Sequence, residues 1–292
     1  MGKRIHFSTG RLAIGLGALL FVWAGSGCSG ASEDGSAPGN EDAPVADGTP
    51  PASGDAPASD DTPDGDPHTK SKVPAKVLDL KNWKETLPTG SDEEPKEVTQ
   101  PSLATFSVSP YFKVNATGDA VQFRAPTNGV TTSGSGYPRS ELREMTDDGK
   151  SNASWSTTSG THTMEIDEAI TAVPKKKKHI VAGQIHNEDD DVIVIRLESP
   201  KLFVDINGKT GPTLEDNYKL GTRFKVKFVA SNGKIKIYYN GDSSPAYTLS
   251  KSSSGCYFKV GAYTQSNCDT ESSCGSSNYG EVNVYSVKVT HD

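Results

Sequence analysis

Phe224-Lys225-Val226-Lys227-Phe228, then Ser231-Asn232-Gly233, then Lys234-Ile235-Lys236-Ile237, alternates apolar and cationic side chains on both sides of an Asn-Gly pair. Successive side chains of an extended strand point to opposite faces, so each arm offers one face to a core and one to water. Asn-Gly accepts the positive φ angles of a two-residue hairpin turn. The stretch predicts a β-hairpin, and its pattern recurs. Short alternating runs occupy residues 121–124, 163–170, 179–186, 192–197, 201–206, 223–230, 234–239, 257–265 and 281–289. Asn207-Gly208 and Asn240-Gly241 mark further turns. No long segment keeps a 3.6-residue apolar period, and residues 77–87 are read as a helical turn at most. Many short antiparallel strands separated by Gly/Asn turns predict an all-β domain, a sandwich or jelly roll. No internal repeat or nucleotide-binding glycine loop is present.

The N-terminal part has a different character. Lys3, Arg4 and Arg11 precede an apolar run too short to span a bilayer, and small residues then lead to Cys28. Residues 1–28 read as an export signal resembling that of a lipoprotein, with Cys28 as the lipidated residue. Gly25 stands where an aliphatic residue is usual, and ordinary cleavage with free secretion is the alternative. Residues 29–72 form a linker rich in Ala, Gly, Ser, Pro and acids. Ten carboxylates and no Lys or Arg fall between Ser29 and Thr69. Such a segment buries too little apolar surface to offset its ordering entropy, and like charges extend it. Residues 73–292 suit one domain.

The net charge of −7 belongs to the N-terminal segments, and residues 70–292 balance near zero. The low pI therefore carries no information about the ligand of the folded part. Nucleic acid is not expected as a partner, contact with a membrane is expected only through the lipid at Cys28, and a monomer is expected. Cys268 and Cys274 flank a Gly/Ser/Asp-rich loop and are expected to form a disulfide in an oxidising compartment. Cys256 is then left as a buried free thiol. No CxxC or HxxH spacing suggests zinc, and no metal or cofactor is expected.

Three polar rows carry the chemistry. Tyr257, Lys259, Tyr263 and Gln265 alternate with Phe258, Val260 and Ala262. Arg139, Glu141 and Arg143 share one face of a second strand. Gln184 and His186 share a face of a third, with Val181 and Ile185 turned to the core. Taken singly, each row has a plain structural reading, as a solvated face, a salt-bridged face or a structural histidine. Together they supply guanidinium, amide, imidazole, ammonium and phenol. That set suits β-elimination on a polyuronate, which needs a neutralised carboxylate, a base for the C5 proton and an acid for O4. Glycoside hydrolysis needs two placed carboxyl groups; Glu165 and Asp167 share a strand face, with Glu198 a further candidate, but no such pair stands beside these rows.

Arg139-Ser-Glu-Leu-Arg143, Gln184-Ile-His186 and Tyr257-Phe-Lys-Val-Gly-Ala-Tyr-Thr-Gln265 resemble the three signature segments of the alginate lyases of polysaccharide lyase family seven. Leu78-Asp-Leu-Lys-Asn-Trp-Lys-Glu-Thr-Leu-Pro88 resembles the start of that domain. The resemblance implies a jelly roll with a concave cleft for alginate. It also implies catalytic roles for Arg139 and Gln184 (carboxylate neutralisation), His186 (base) and Tyr263 (acid). Glu141, Arg143, Lys259 and Gln265 would orient these groups or bind neighbouring carboxylates. Ile185 leans toward guluronate-containing blocks. A lyase on another polyuronate such as glucuronan, or a non-catalytic polysaccharide-binding module on the same scaffold, are the other readings.

Overall fold

The computed structural model describes residues 73–292; the signal, Cys28 and the linker lie outside the described residues. In chain order the strands are β1 (Trp83–Ser91), β2 (Glu94–Val98), β3 (Phe112–Val114), β4 (Val121–Pro126), β5 (Arg139–Thr146), β6 (Ser151–Asn152), β7 (Thr161–Ala172) and β8 (His179–His186). They continue with β9 (Asp191–Glu198), β10 (Lys201–Ile206), β11 (Lys209–Glu215), β12 (Phe224–Ser231), β13 (Lys234–Tyr239), β14 (Tyr247–Ser250), β15 (Tyr257–Thr264) and β16 (Tyr279–His291). Two antiparallel sheets result. One runs β11-β10-β9-β8-β15-β5-β1-β2, with β6 on β5, and the other runs β14-β13-β12-β7-β16-β4-β3. Strand β15 lies between β8 and β5, far from both in sequence. Such long-range insertion is the mark of jelly-roll topology.

The hairpin forms as its residues dictate. Ser231 pairs with Lys234, and Asn232 and Gly233 have φ of 50° and 68°. Phe224, Val226, Phe228, Ala230, Ile235 and Ile237 are buried between the sheets. Phe258, Val260 and Ala262 of β15 and Leu142 of β5 meet them from the opposite sheet. Burial of an aliphatic or aromatic side chain contributes about 1.5–3 kcal/mol, so this shared layer is the main source of stability.

Two expectations are corrected. Residues 83–91 are strand β1 rather than a helical turn. Trp83 and Leu87 face the core with Glu85 between them, and that carboxyl hides the apolar alternation. Glu85 accepts a hydrogen bond from Ser140 Oγ at 2.7 Å, and burial raises its pKa well above the usual range. Val181 is buried but lies outside the core layer, where Ile180, Ala182 and Ile185 sit. The β8–β9 pairing slips by one residue between Val181 and Gly183, and that bulge reverses the expected facing.

A polar network ties the C-terminal end of β16, in the second sheet, to the first. Glu144 accepts from Trp155 Nε1 (3.0 Å), Phe258 N (2.8 Å) and His291 Nε2 (2.6 Å). Phe258 precedes Lys259 in β15, so this buried carboxylate pins the strand that carries much of the cleft chemistry.

Candidate active site

The first sheet places the three polar rows side by side on its middle strands. Tyr263 pairs with Arg139, Gly261 with Glu141, and Lys259 with Arg143 across β15 and β5; Lys259 pairs with Gln184 and Tyr257 with His186 across β15 and β8. Side chains opposite one another on a sheet face are close enough to interact directly. Arg139, Arg143, Gln184, His186, Tyr257, Lys259 and Tyr263 line one cleft of about 380 Å³, joined by Lys84 and Thr86 of β1 and by Ser135.

Glu141 is the hub. It is fully buried, 2.6 Å from Lys259 Nζ and 3.6 Å from Arg139 Nη1, and it accepts a short hydrogen bond from Gln184 Nε2. Burial alone would raise its pKa. The Lys259 and Arg139 cations, with hydrogen bonds from Lys259 and Gln184, outweigh burial and hold the carboxyl below its usual range. Burial, and then the neighbouring Arg139, push Lys259 down to about 8. The position opposite Glu141 is glycine for a reason. Gly261 has φ of 141°, and a Cβ there would lie 2.5 Å from Ser140 O and 2.9 Å from Glu141 Cα.

His186 closes β8 with its imidazole partly buried. Its pKa is lowered by burial and then by the Lys259 charge. Nδ1 lies 2.5 Å from the Asn187 carbonyl, an acceptor only, so Nδ1 carries the proton and Nε2 keeps its lone pair. Tyr257 stacks on the imidazole at 5.4 Å, and its hydroxyl lies 3.1 Å from Nδ1. The Arg143 guanidinium covers the other ring contact of Tyr257 at 4.0 Å. Arg139 lies 4.0 Å over the Tyr263 ring, and the Tyr263 hydroxyl is 2.8 Å from Ser135 Oγ.

Of the eight residues singled out as catalytic or substrate-binding, seven converge. Arg139, Gln184, His186, Tyr263, Arg143 and Lys259 line the cleft, and Glu141 lies beneath them as an orienting group. Gln265 sits apart, beyond the end of β15. Its backbone N–H donates to His179 O, and its side-chain oxygen faces Arg196 Nη1 at 3.5 Å. Tyr257, Ser135 and Lys84 were given no role by sequence. Tyr257 alternates with core residues, whereas Lys84 lies beside Glu85 in the strand whose alternation is hidden, and Ser135 lies in a Gly/Ser/Thr loop with no local signal. The Cys268–Cys274 disulfide is formed, and Cys256 is buried and free. Glu165 and Asp167 lie on β7 of the other sheet, where Asp167 is paired with Arg223 and Lys225.

The alginate lyase family model matches residues 78–291. The alginate lyase from Corynebacterium sp. is 55% identical, with a TM-score of 0.74 over 76% of this chain and 100% of that one. Alginate lyase AlgAT5 from polysaccharide lyase family 7 is also 55% identical, with a TM-score of 0.72 over 76% and 100%. The family 7 alginate lyase A1-II', solved with product, is 28% identical, with a TM-score of 0.64 over 76% and 100%. No curated protein sequence matches. A match of this length, carried by the same strands that build the cleft, shows that the chain belongs to the alginate lyase family.

Proposed function

We propose that this protein depolymerises alginate by β-elimination, leaving oligosaccharides with a 4,5-unsaturated uronate at the new end. The observation that carries the reading is the meeting of Arg139, Gln184, His186 and Tyr263 in one cleft. Arg139 and Gln184 receive the carboxylate of the sugar attacked. Neutralising that charge makes the C5 proton acidic and stabilises the enolate-like charge that develops. His186 Nε2 removes the C5 proton, the C5 electron pair forms the C4–C5 double bond, and the C4–O4 bond breaks. Tyr263 gives its proton to O4. Where the C5 proton and O4 lie on the same side of the ring, Tyr263 can serve as both base and acid. Ser135, 2.8 Å from the phenol, is placed to return a proton to it between turnovers. Arg143 and Lys259 attract neighbouring carboxylates.

Ile185 supports a preference for guluronate-containing blocks. The signal at residues 1–28, with lipid on Cys28, and the acidic linker would export a monomeric domain and tether it to a bacterial membrane at the cell surface. Hydrolysis is disfavoured because Asp167, the acid beside Glu165, is neutralised by Arg223 and Lys225.

Incubation of the purified chain with alginate should produce rising ultraviolet absorbance from the new double bond together with new reducing ends. Tyr263→Phe should lower turnover by about a hundredfold or more. Reducing ends without absorbance would mean hydrolysis. Retained binding without either signal would mean a binding module.

A further inference from the structure

Four consecutive lysines, Lys175-Lys176-Lys177-Lys178, form the turn that leads from β7 into β8. Lys177 ties this turn to the loop of Ser135, on the Tyr263 side of the cleft. Lys177 Nζ donates to Tyr137 Oη at 2.6 Å and sits 4.4 Å over its ring, and Tyr137 belongs to the same loop as Ser135. The other three ammonium groups are exposed, and none forms an ion pair with a described residue.

This turn is braced from below. The backbone N–H groups of Lys176 and Lys177 donate to the two oxygens of Glu271 at 2.9 Å each, and Lys175 N donates to Asn278 Oδ1 at 2.9 Å. Glu271 is held in turn by Ser266 Oγ (2.6 Å) and Asn278 Nδ2 (2.9 Å), inside the loop closed by Cys268–Cys274. Although burial opposes it, these donors bring the Glu271 carboxyl down to about 2, so it stays ionised as a brace. A fixed backbone under three free cations lowers the ordering cost of binding.

The opposite end of the cleft has the reverse charge. Beyond His186, Glu188, Asp189, Asp190 and Asp191 line its wall. A polyanion in this cleft is repelled at the His186 end and attracted at the Tyr263 end.

We propose that residues 175–178 are a distal platform for the carboxylates of a uronate chain, which runs out of the cleft past Tyr263 and away from residues 188–191. The proposal rests on the polyuronate lyase reading and deepens it, because it gives the cleft a direction. It predicts that long chains are held more tightly than short ones, and that salt erases the difference.

The test uses the purified chain, the charge-removing variant Lys175→Gln/Lys176→Gln/Lys178→Gln, and the charge-keeping variant with arginine at the same three positions. Retardation in native gels containing alginate and the KM on polymer and on a uronate trisaccharide are both measured. Three exposed carboxylate contacts predict a loss of about tenfold in apparent affinity for polymer. Turnover at saturation and the trisaccharide KM should be unchanged, and the arginine variant should behave like the parent. Unchanged polymer affinity in the glutamine variant would overturn the proposal. So would an equal loss on trisaccharide, or an equal loss in the arginine variant. A parent chain that alginate retards but that releases no unsaturated product would sink the lyase reading alone, and the gel comparison would still decide the platform.

Discussion

Glu141→Gln removes one negative charge from the centre of the site while keeping its shape. Glu141 is fully buried, with Lys259 at 2.6 Å and Arg139 at 3.6 Å, both less than a tenth exposed. At an effective dielectric of about 20, Coulomb's law gives on the order of 6 kcal/mol for the nearer contact and about 5 for the farther one. Most of that attraction offsets the desolvation of the three groups. The substitution leaves two cations facing each other without a counter-ion, and breaking a buried pair in this way costs about 3–5 kcal/mol. For a domain of this size that corresponds to a fall in Tm of about 6–20 °C. Turnover should drop by about a hundredfold, because Arg139 and Gln184 both lose the group that aims them. The sign with pH follows from the lowered carboxyl pKa. The stability that Glu141 contributes is present above the unfolded carboxylate value and is lost as pH falls through the folded one, so the variant should unfold less steeply in acid. Urea and thermal unfolding, with the absorbance assay for turnover, measure all three. Adding Lys259→Met should restore part of the stability, since it removes one of the stranded charges. A Glu141→Gln protein as stable and active as the parent, or a double variant weaker than the single one, would refute the charge-balance argument.

The pH–rate profile should have two limbs. The acid limb falls below 6.5, where His186 becomes protonated, and the alkaline limb lies near 8, where Lys259 loses its charge. Lys259→Arg should move only the alkaline limb upward, and a limb that stays put would assign it to another group. Gly261→Ala should cost about 2 kcal/mol or more in urea unfolding, because the new methyl meets the β5 backbone at 2.5 Å and the φ of 141° is hostile to a side chain. A loss under about 0.5 kcal/mol would show that the two strands part easily.

The strands that proved legible are those whose two faces differ in chemistry. Residues 201–206 and 234–239 were bounded to the residue, because apolar positions on one side and polar ones on the other leave one workable register; residues 179–186 were bounded as well, but the bulge in β8 reverses the expected facing of Val181. Strand β1 was illegible because Glu85 occupies a core position, and its pairing with Ser140 is a tertiary fact. Short polar strands such as β2, β11 and β14 bury too little to imprint a pattern. For the site, alternation ordered Tyr257, Lys259 and Tyr263 correctly but ran on to Gln265, one residue past the end of β15. The contact between Ser135 and Tyr263 joins residues 128 apart, and nothing in a Gly/Ser/Thr loop announces such a partner.

The four groups proposed to act on the sugar, Arg139, Gln184, His186 and Tyr263, all belong to interior strands with neighbours on both sides. Reactivity is thus embedded in the least deformable part of the molecule, while the segments around residues 131–138 and 187–190 form the rims. Redesign aimed at which polymer blocks are accepted, or how long the released fragments are, can graft new rims onto this platform. The elimination machinery would be carried over intact.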